Sequence, residues 1–96
     1  MSKQLPLIVK FVVKKEKLDF VKYELLKILG PTRKENGCIL YELHQDLDNP
    51  YIFMFYEIWE NEDYWKAHDK QQHIVEFKKA IEKSVENISY NKLTIL

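Results

Sequence analysis

Along the 96-residue chain the apolar positions switch between a period of two and a period near 3.6, and each switch marks an element boundary. Residues 5–13, LPLIVKFVV, are β-branched and apolar and predict a first strand, with Pro6 tolerated near its beginning. Leu18, Val21, Leu25 and Leu29 then recur at helical spacing, which predicts an amphipathic helix over 16–29. Gly30 and Pro31 are expected to stop it. Residues 38–45 and 51–59 read as two strands. Asp48-Asn49-Pro50 between them is turn chemistry, so they predict an antiparallel hairpin. Asn61 is placed to cap a short helix reaching about residue 68, with Glu62 and Asp63 at its positive end. A further helix carries Ile74, Phe77, Ile81 and Val85 on one stripe and ends near residue 86. Residues 88–96 read as the last strand. The order β-α-β-β-α-β is the split β-α-β plan, an α+β ferredoxin-like sandwich with a four-stranded antiparallel sheet. It is expected to occupy residues 1–96 as one domain.

The third strand is apolar on both faces. Ile52, Met54, Tyr56 and Ile58 share one side; Tyr51, Phe53, Phe55, Glu57 and Trp59 share the other. Helices cover only one face of such a sheet. The second set would then leave four aromatic rings in water, too large a patch for a monomer. A partner sheet is expected to pack there, giving a two-fold homodimer.

Composition narrows the partners. The 15 basic and 15 acidic residues balance, which argues against nucleic acid or an anionic membrane. Arg33 is the one arginine, so a phosphate clamp of guanidinium groups is not expected. The opening Met1-Ser2-Lys3-Gln4 has no signal-peptide pattern, and no apolar run approaches the ~20 residues of a membrane span. One cysteine, Cys38, allows no internal disulfide or Cys-based zinc site, and reads as a buried residue at a strand start. A soluble, cytoplasmic protein is the expectation.

Two stretches carry a family resemblance. Glu35-Asn36-Gly37-Cys38-Ile39-Leu40-Tyr41-Glu42-Leu43 resembles the "EpGCl-Y-l" segment of the antibiotic biosynthesis monooxygenase (ABM) family. Tyr56-Glu57-Ile58-Trp59-Glu60-Asn61-Glu62-Asp63, followed by Ala67-His68 and His73, resembles its "yE-W-s-e…aH…H" signature. The resemblance implies a homodimer whose sheets close a shared dimeric α/β barrel, with a pocket between sheet and helices in each subunit. It implies oxygenase chemistry without flavin, haem or metal, on polycyclic phenols, anthrones or quinols. Gln71-Gln72 stands where the family often has Thr-Pro. The first strand lacks the Asn, and the last helix the later His, of haem-degrading relatives. A phosphosugar substrate of autoinducer type would want basic groups, and Lys10 is the one that can be placed on a strand.

Triplet oxygen reacts slowly with closed-shell molecules, but an electron-rich phenolate or enolate can reduce it without a cofactor. The protein then needs a base, a dry cavity and donors to an anionic oxygen. His68 and His73 are the candidate bases. Five residues apart, they do not share a face of one helix, but an interruption over 69–72 would let the rings converge. The other reading is a cap or backbone bridge at that junction. Trp59 would stack on a flat substrate or anchor the core. Tyr41 and Tyr56 are candidate donors to substrate oxygens, or core rings with one polar tip. Glu57 reads as a structural carboxylate, Trp65 as packing and His44 as solvated. Without a carboxylate placed beside them, two histidines make a poor zinc site, so no metal is expected. The leading expectation is a cofactor-independent monooxygenase using O2 on a small aromatic, quinol-type substrate. The alternatives are a non-catalytic dimeric barrel binding a hydrophobic ligand or serving stress response, and an isomerase of small carbonyl or phosphosugar compounds.

Overall fold

The computed structural model describes residues 3–96; Met1 and Ser2, where the expectation about a leader begins, lie outside the described residues. Strand β1 (Leu5–Val13) is followed by a 3-10 turn at Lys15–Lys17, helix α1 (Leu18–Lys27) and helix α2 (Leu29–Arg33). The hairpin β2 (Cys38–Gln45) and β3 (Ile52–Trp59) leads into α3 (Glu62–Asp69), α4 (Gln72–Ile81) and β4 (Val85–Lys92). The strands pair antiparallel in the order β2-β3-β1-β4. This is the ferredoxin-like α+β sandwich, with the helices on one face of the sheet. No helix among the described residues is long and apolar enough to cross a membrane.

The local signals work through identifiable bonds. Asp46 Oδ2 accepts from the Asp48 and Asn49 N–H groups (3.0 and 2.8 Å), and Asn49 Oδ1 accepts from Tyr51 N–H (3.1 Å), which closes the hairpin. Asn61 Oδ1 accepts from Tyr64 N–H (3.2 Å) as the α3 cap.

Two boundaries differ from expectation. Gly30 and Pro31 do not stop the helical region; they open α2. Pro31 has no N–H for the Lys27 carbonyl, which is why α1 ends there. Proline is nonetheless tolerated in a first turn, so the helix restarts, with Thr32 N–H reaching the Ile28 carbonyl at 3.1 Å. The last strand begins at Val85 rather than Ile88 and ends at Lys92 rather than Leu96. Val85 continues the apolar stripe of α4, but Lys14 N–H takes the Ser84 carbonyl (3.0 Å) and turns Val85 into the sheet opposite Val13.

The largest correction concerns the faces of β3. Phe53, Phe55, Glu57 and Trp59 are at most 2% exposed and lie beneath the helices of the same chain. They pack with Leu7, Val9 and Phe11 of β1, Leu25 of α1 and Phe77 of α4. The uncovered face carries Ile52, Met54, Tyr56 and Ile58, all half-buried. Antiparallel register sets Pro6, Ile8, Lys10 and Val12 beside them. The apolar face left uncovered is therefore on the opposite side of the sheet from the one the aromatic count suggested.

Gly37 anchors the turn into β2. Its φ is +82°, and a Cβ there would stand 2.2 Å from Tyr64 Cγ, while its carbonyl accepts from Glu60 N–H at 2.8 Å. Gly37→Ala meets both a left-handed backbone penalty and a clash, together about 2 kcal/mol or more. Thermal unfolding should show Tm lowered by roughly 8 °C or more; an unchanged Tm would mean that Tyr64 does not pack there.

Candidate active site

The cluster of polar groups beneath the helices is assembled by backbone features already described. Arg33 donates from Nε and Nη2 to the Tyr41 carbonyl (3.1 and 2.9 Å), tying the end of α2 to β2. Between them, Glu35 N–H donates to the Thr32 carbonyl (3.0 Å) and Cys38 N–H to the Glu35 carbonyl (3.3 Å). The Glu35 side chain is thereby turned inward, 7% exposed. His68 is in the last turn of α3 and His73 in the first turn of α4. The Lys70 and Gln71 N–H groups close back on Ala67 and His68 (both 3.1 Å), breaking the helix at that corner. The two rings converge there, with centroids 6.5 Å apart.

Glu35 Oε2 joins them. It is 2.8 Å from His68 Nδ1 and 2.8 Å from His73 Nε2, and Thr32 Oγ1 is 3.2 Å from the same nitrogen of His73. One carboxylate oxygen facing two ring nitrogens is satisfied when both rings donate, which puts hydrogen on Nδ1 of His68 and Nε2 of His73. His68 Nε2 then keeps its lone pair. It makes no hydrogen bond among the described residues, and His68 lines a cavity of about 30 Å³ with Tyr41, Phe55, Glu57 and Trp65. Asp69 and Lys78, an ion pair, and Tyr90 form the mouth. That volume is about one water molecule.

Burial sets the protonation. His68 is held well below the ordinary imidazole range, at about 4, by desolvation and then by its neighbour His73. Glu35 is pushed up to about 7 by burial, with the Glu57 charge adding to it and a Thr32 hydrogen bond offsetting part. Glu57 is likewise pushed up to about 7 by burial, although the Trp59 N–H donated to Oε1 (2.9 Å) works the other way. The usual order of carboxyl and imidazole is inverted here: with both rings neutral, the next proton to enter goes to Glu35 rather than to His68.

The five residues singled out from the sequence do not all meet. His68, His73 and Tyr41 do: Tyr41 stacks on Phe55 at 4.5 Å and meets His68 edge-on at 5.7 Å. Trp59 lies beside His68 at 4.7 Å but is 0% exposed, so its ring supports the imidazole from behind and its N–H is used by Glu57. Tyr56 is on the uncovered face of the sheet, because side chains alternate along β3. It cannot line this cavity. Trp65, expected as packing, lines the cavity with Glu57, while Lys10 faces away. Cys38 has its thiol pushed up to about 11 by burial, which leaves it a poor nucleophile. His44 is exposed, 3.3 Å from Glu42.

A ferredoxin-like chain with a carboxylate-bridged pair of imidazoles beneath its helices defines the structural class. The family follows from comparison. Residues 6–80 match the model of the antibiotic biosynthesis monooxygenase family, well over half of the chain, and the chain belongs to that family. The solved structure of PA3566 from Pseudomonas aeruginosa is similar over all of this chain and 97% of its own, at 28% identity and a TM-score of 0.95. A conserved protein from Methanosarcina mazei Go1 covers 95% of this chain and 91% of its own, at 26% identity and a TM-score of 0.88. YjcS of Bacillus subtilis (strain 168) is 29% identical over 68 residues, 71% of this chain. That match spans 65% of the length of YjcS, just under two thirds.

Glu57 generates a pH prediction. Its pKa is near 4.5 when unfolded and about 7 when folded. Its contribution to stability is therefore fully present below pH 4.5 and is lost as pH rises through 7. His68, with its pKa lowered, works in the opposite direction and masks the trend in the native chain. Glu35, also raised to about 7, acts in the same sense as Glu57, so Glu57→Gln removes one of two carboxyl contributions. Urea unfolding should show the variant gaining on the native chain by up to about 3 kcal/mol between pH 5 and 7.5. A difference that stays constant with pH would show that Glu57 is not buried as described.

Proposed function

We propose that this chain is a cofactor-independent monooxygenase that transfers one atom of O2 to a small aromatic substrate of quinol or anthrone type. The observation that carries the reading is the 2.8 Å contact of Glu35 Oε2 with His68 Nδ1, which leaves Nε2 as the free proton acceptor of a buried imidazole that lines the cavity. Nε2 takes the acidic proton of the substrate while the Nδ1 proton passes to Glu35, so no charge is stranded on the ring. The substrate anion gives an electron to O2, the two radicals combine as a peroxide anion, and the proton held on Glu35 returns through His68 to make the hydroperoxide. Loss of water then leaves a new carbonyl. For an anthrone, C14H10O and O2 become the quinone C14H8O2 and H2O. The apolar walls, Phe55 among them, keep water from the anion, and Tyr41, which lines the same cavity, is the candidate donor to its oxygen.

Admission of a ring requires the mouth to open, since the cavity as it stands holds about 30 Å³. Separating the Asp69–Lys78 pair between α3 and α4 would do this. The uncovered sheet face supports a homodimer: Ile8, Ile52, Met54, Tyr56 and Ile58 need covering, and Lys10 lies among them. Balanced charge and the absence of a long apolar helix among the described residues accord with a cytoplasmic protein. The apolar walls of the cavity favour one other reading, a barrel that binds a hydrophobic ligand without converting it.

An oxygen electrode separates the two. Chelator-treated protein should consume O2 with an anthrone or quinol. His68→Ala should lose at least about 100-fold in turnover. Glu35→Gln, which keeps a hydrogen-bonding side chain but not the proton acceptor, should lose about tenfold or more. No uptake by the native protein across such substrates would favour the binding reading, and full turnover in His68→Ala would remove the mechanism.

A further inference from the structure

The carboxylate that orients His68 also meets a second imidazole, and the three together form a ligand set. Glu35 Oε2, His68 Nδ1 and His73 Nε2 lie within 4.8 Å of one another, and each nitrogen is 2.8 Å from the oxygen. Two imidazoles and a carboxylate suit a borderline divalent ion such as zinc, at about 2.0–2.2 Å from each donor. The nitrogens would draw back from the oxygen by roughly half an ångström to reach the edge length of a tetrahedral site. His73, at the start of α4 with its side chain 24% exposed, has the freedom to do so. The sequence argued against a metal because no carboxylate could be placed beside the histidines, and the loop before β2 supplies one.

Charge and access point the same way. Glu35 and Glu57 are both buried side chains, and neither has a Lys or Arg partner among the described residues; Arg33 is turned to the Tyr41 carbonyl. A cation would compensate the cluster. Beside His73 a groove of about 150 Å³ runs between α1, α2 and α4, with Glu24 and Glu76 on its walls. Lys27, paired with Glu24 at 3.0 Å, also lines it, and the groove gives an ion a route to His73.

We infer that Glu35, His68 and His73 bind a divalent transition-metal ion of the zinc type, and that the bound ion holds the site in a proton-transfer-incompetent state. The first half stands on geometry alone; the second rests on His68 acting as the base. A metal on Nδ1 takes that lone pair, so the neutral ring must carry its hydrogen on Nε2, the nitrogen proposed to take the substrate proton. Glu35, now a ligand, no longer accepts the proton. Zinc stays divalent throughout, and two ring hydrogens move: from Nδ1 to Nε2 on His68, and from Nε2 to Nδ1 on His73.

Zn(II) titrated calorimetrically into chelator-treated protein should bind at one ion per chain, and Co(II) should give visible absorption of a low-coordinate site. His73→Ala should weaken zinc at least about tenfold. Glu35→Gln, which removes the charged donor and leaves the fold's shape, should weaken it as well. In proton NMR, zinc should abolish the His68 Nδ1–H resonance and produce an Nε2–H one. Absence of binding, or binding unchanged in both variants, overturns the site; a zinc-bound chain that keeps the Nδ1–H resonance overturns the switch. None of these readouts needs turnover, so a zinc-free protein that consumes no O2 would count against the monooxygenase reading alone.

Discussion

A carboxylate buried between two imidazoles is the constraint around which this molecule is arranged. Left alone beneath the helices, the Glu35 charge would cost several kcal/mol of lost hydration. The two ring N–H groups offset that, and each must be delivered by a different segment. The break after His68 aims one ring, the start of α4 aims the other, and the Arg33 bonds to the Tyr41 carbonyl fix the loop that carries the carboxylate. Gly37 then lets the chain turn at once into β2 against Tyr64. Loosening any of these segments moves the oxygen that the other two depend on.

The same arrangement explains how ordinary residues acquire unusual proton affinities. Neither Glu35 nor Glu57 has a cationic side chain beside it among the described residues, so burial dominates and both carboxyls titrate near 7. Burial acts on His68 in the opposite sense. A proton entering at the cavity face of His68 is therefore drawn towards Glu35. The imidazole is a conduit and the carboxyl the store. This differs from a hydrolase triad, where the carboxylate stays ionised and the ring holds the charge.

Much of this was legible along the chain, and the misses have physical causes. Period-two and period-3.6 patterns located the four strands and helices α1, α3 and α4, because burial of one face governs both; α2, which Gly30 and Pro31 open, carries no such pattern. The convergence of His68 and His73 followed from polar residues that interrupt the helix between them. What the alternation in β3 could not reveal is which side meets the helices, since Phe53, Phe55 and Trp59 are no more apolar than Ile52, Met54 and Ile58. The deciding sign is Lys10, which register sets opposite Met54 on the uncovered face. Tyr56 was misplaced with it. Glu35 went unnoticed because it reaches His68 and His73 only through tertiary structure, across 33 and 38 residues. Its one local signal was position, two residues before a glycine that must be left-handed.

Which nitrogen of His68 carries hydrogen is read directly by nitrogen NMR of the histidine rings. The metal-free protein at pH 7.5 should show a neutral His68 with hydrogen on Nδ1 and a bare Nε2, coupled across a hydrogen bond to Glu35. A His68 ring with hydrogen on Nε2, or one already protonated at that pH, would contradict this assignment.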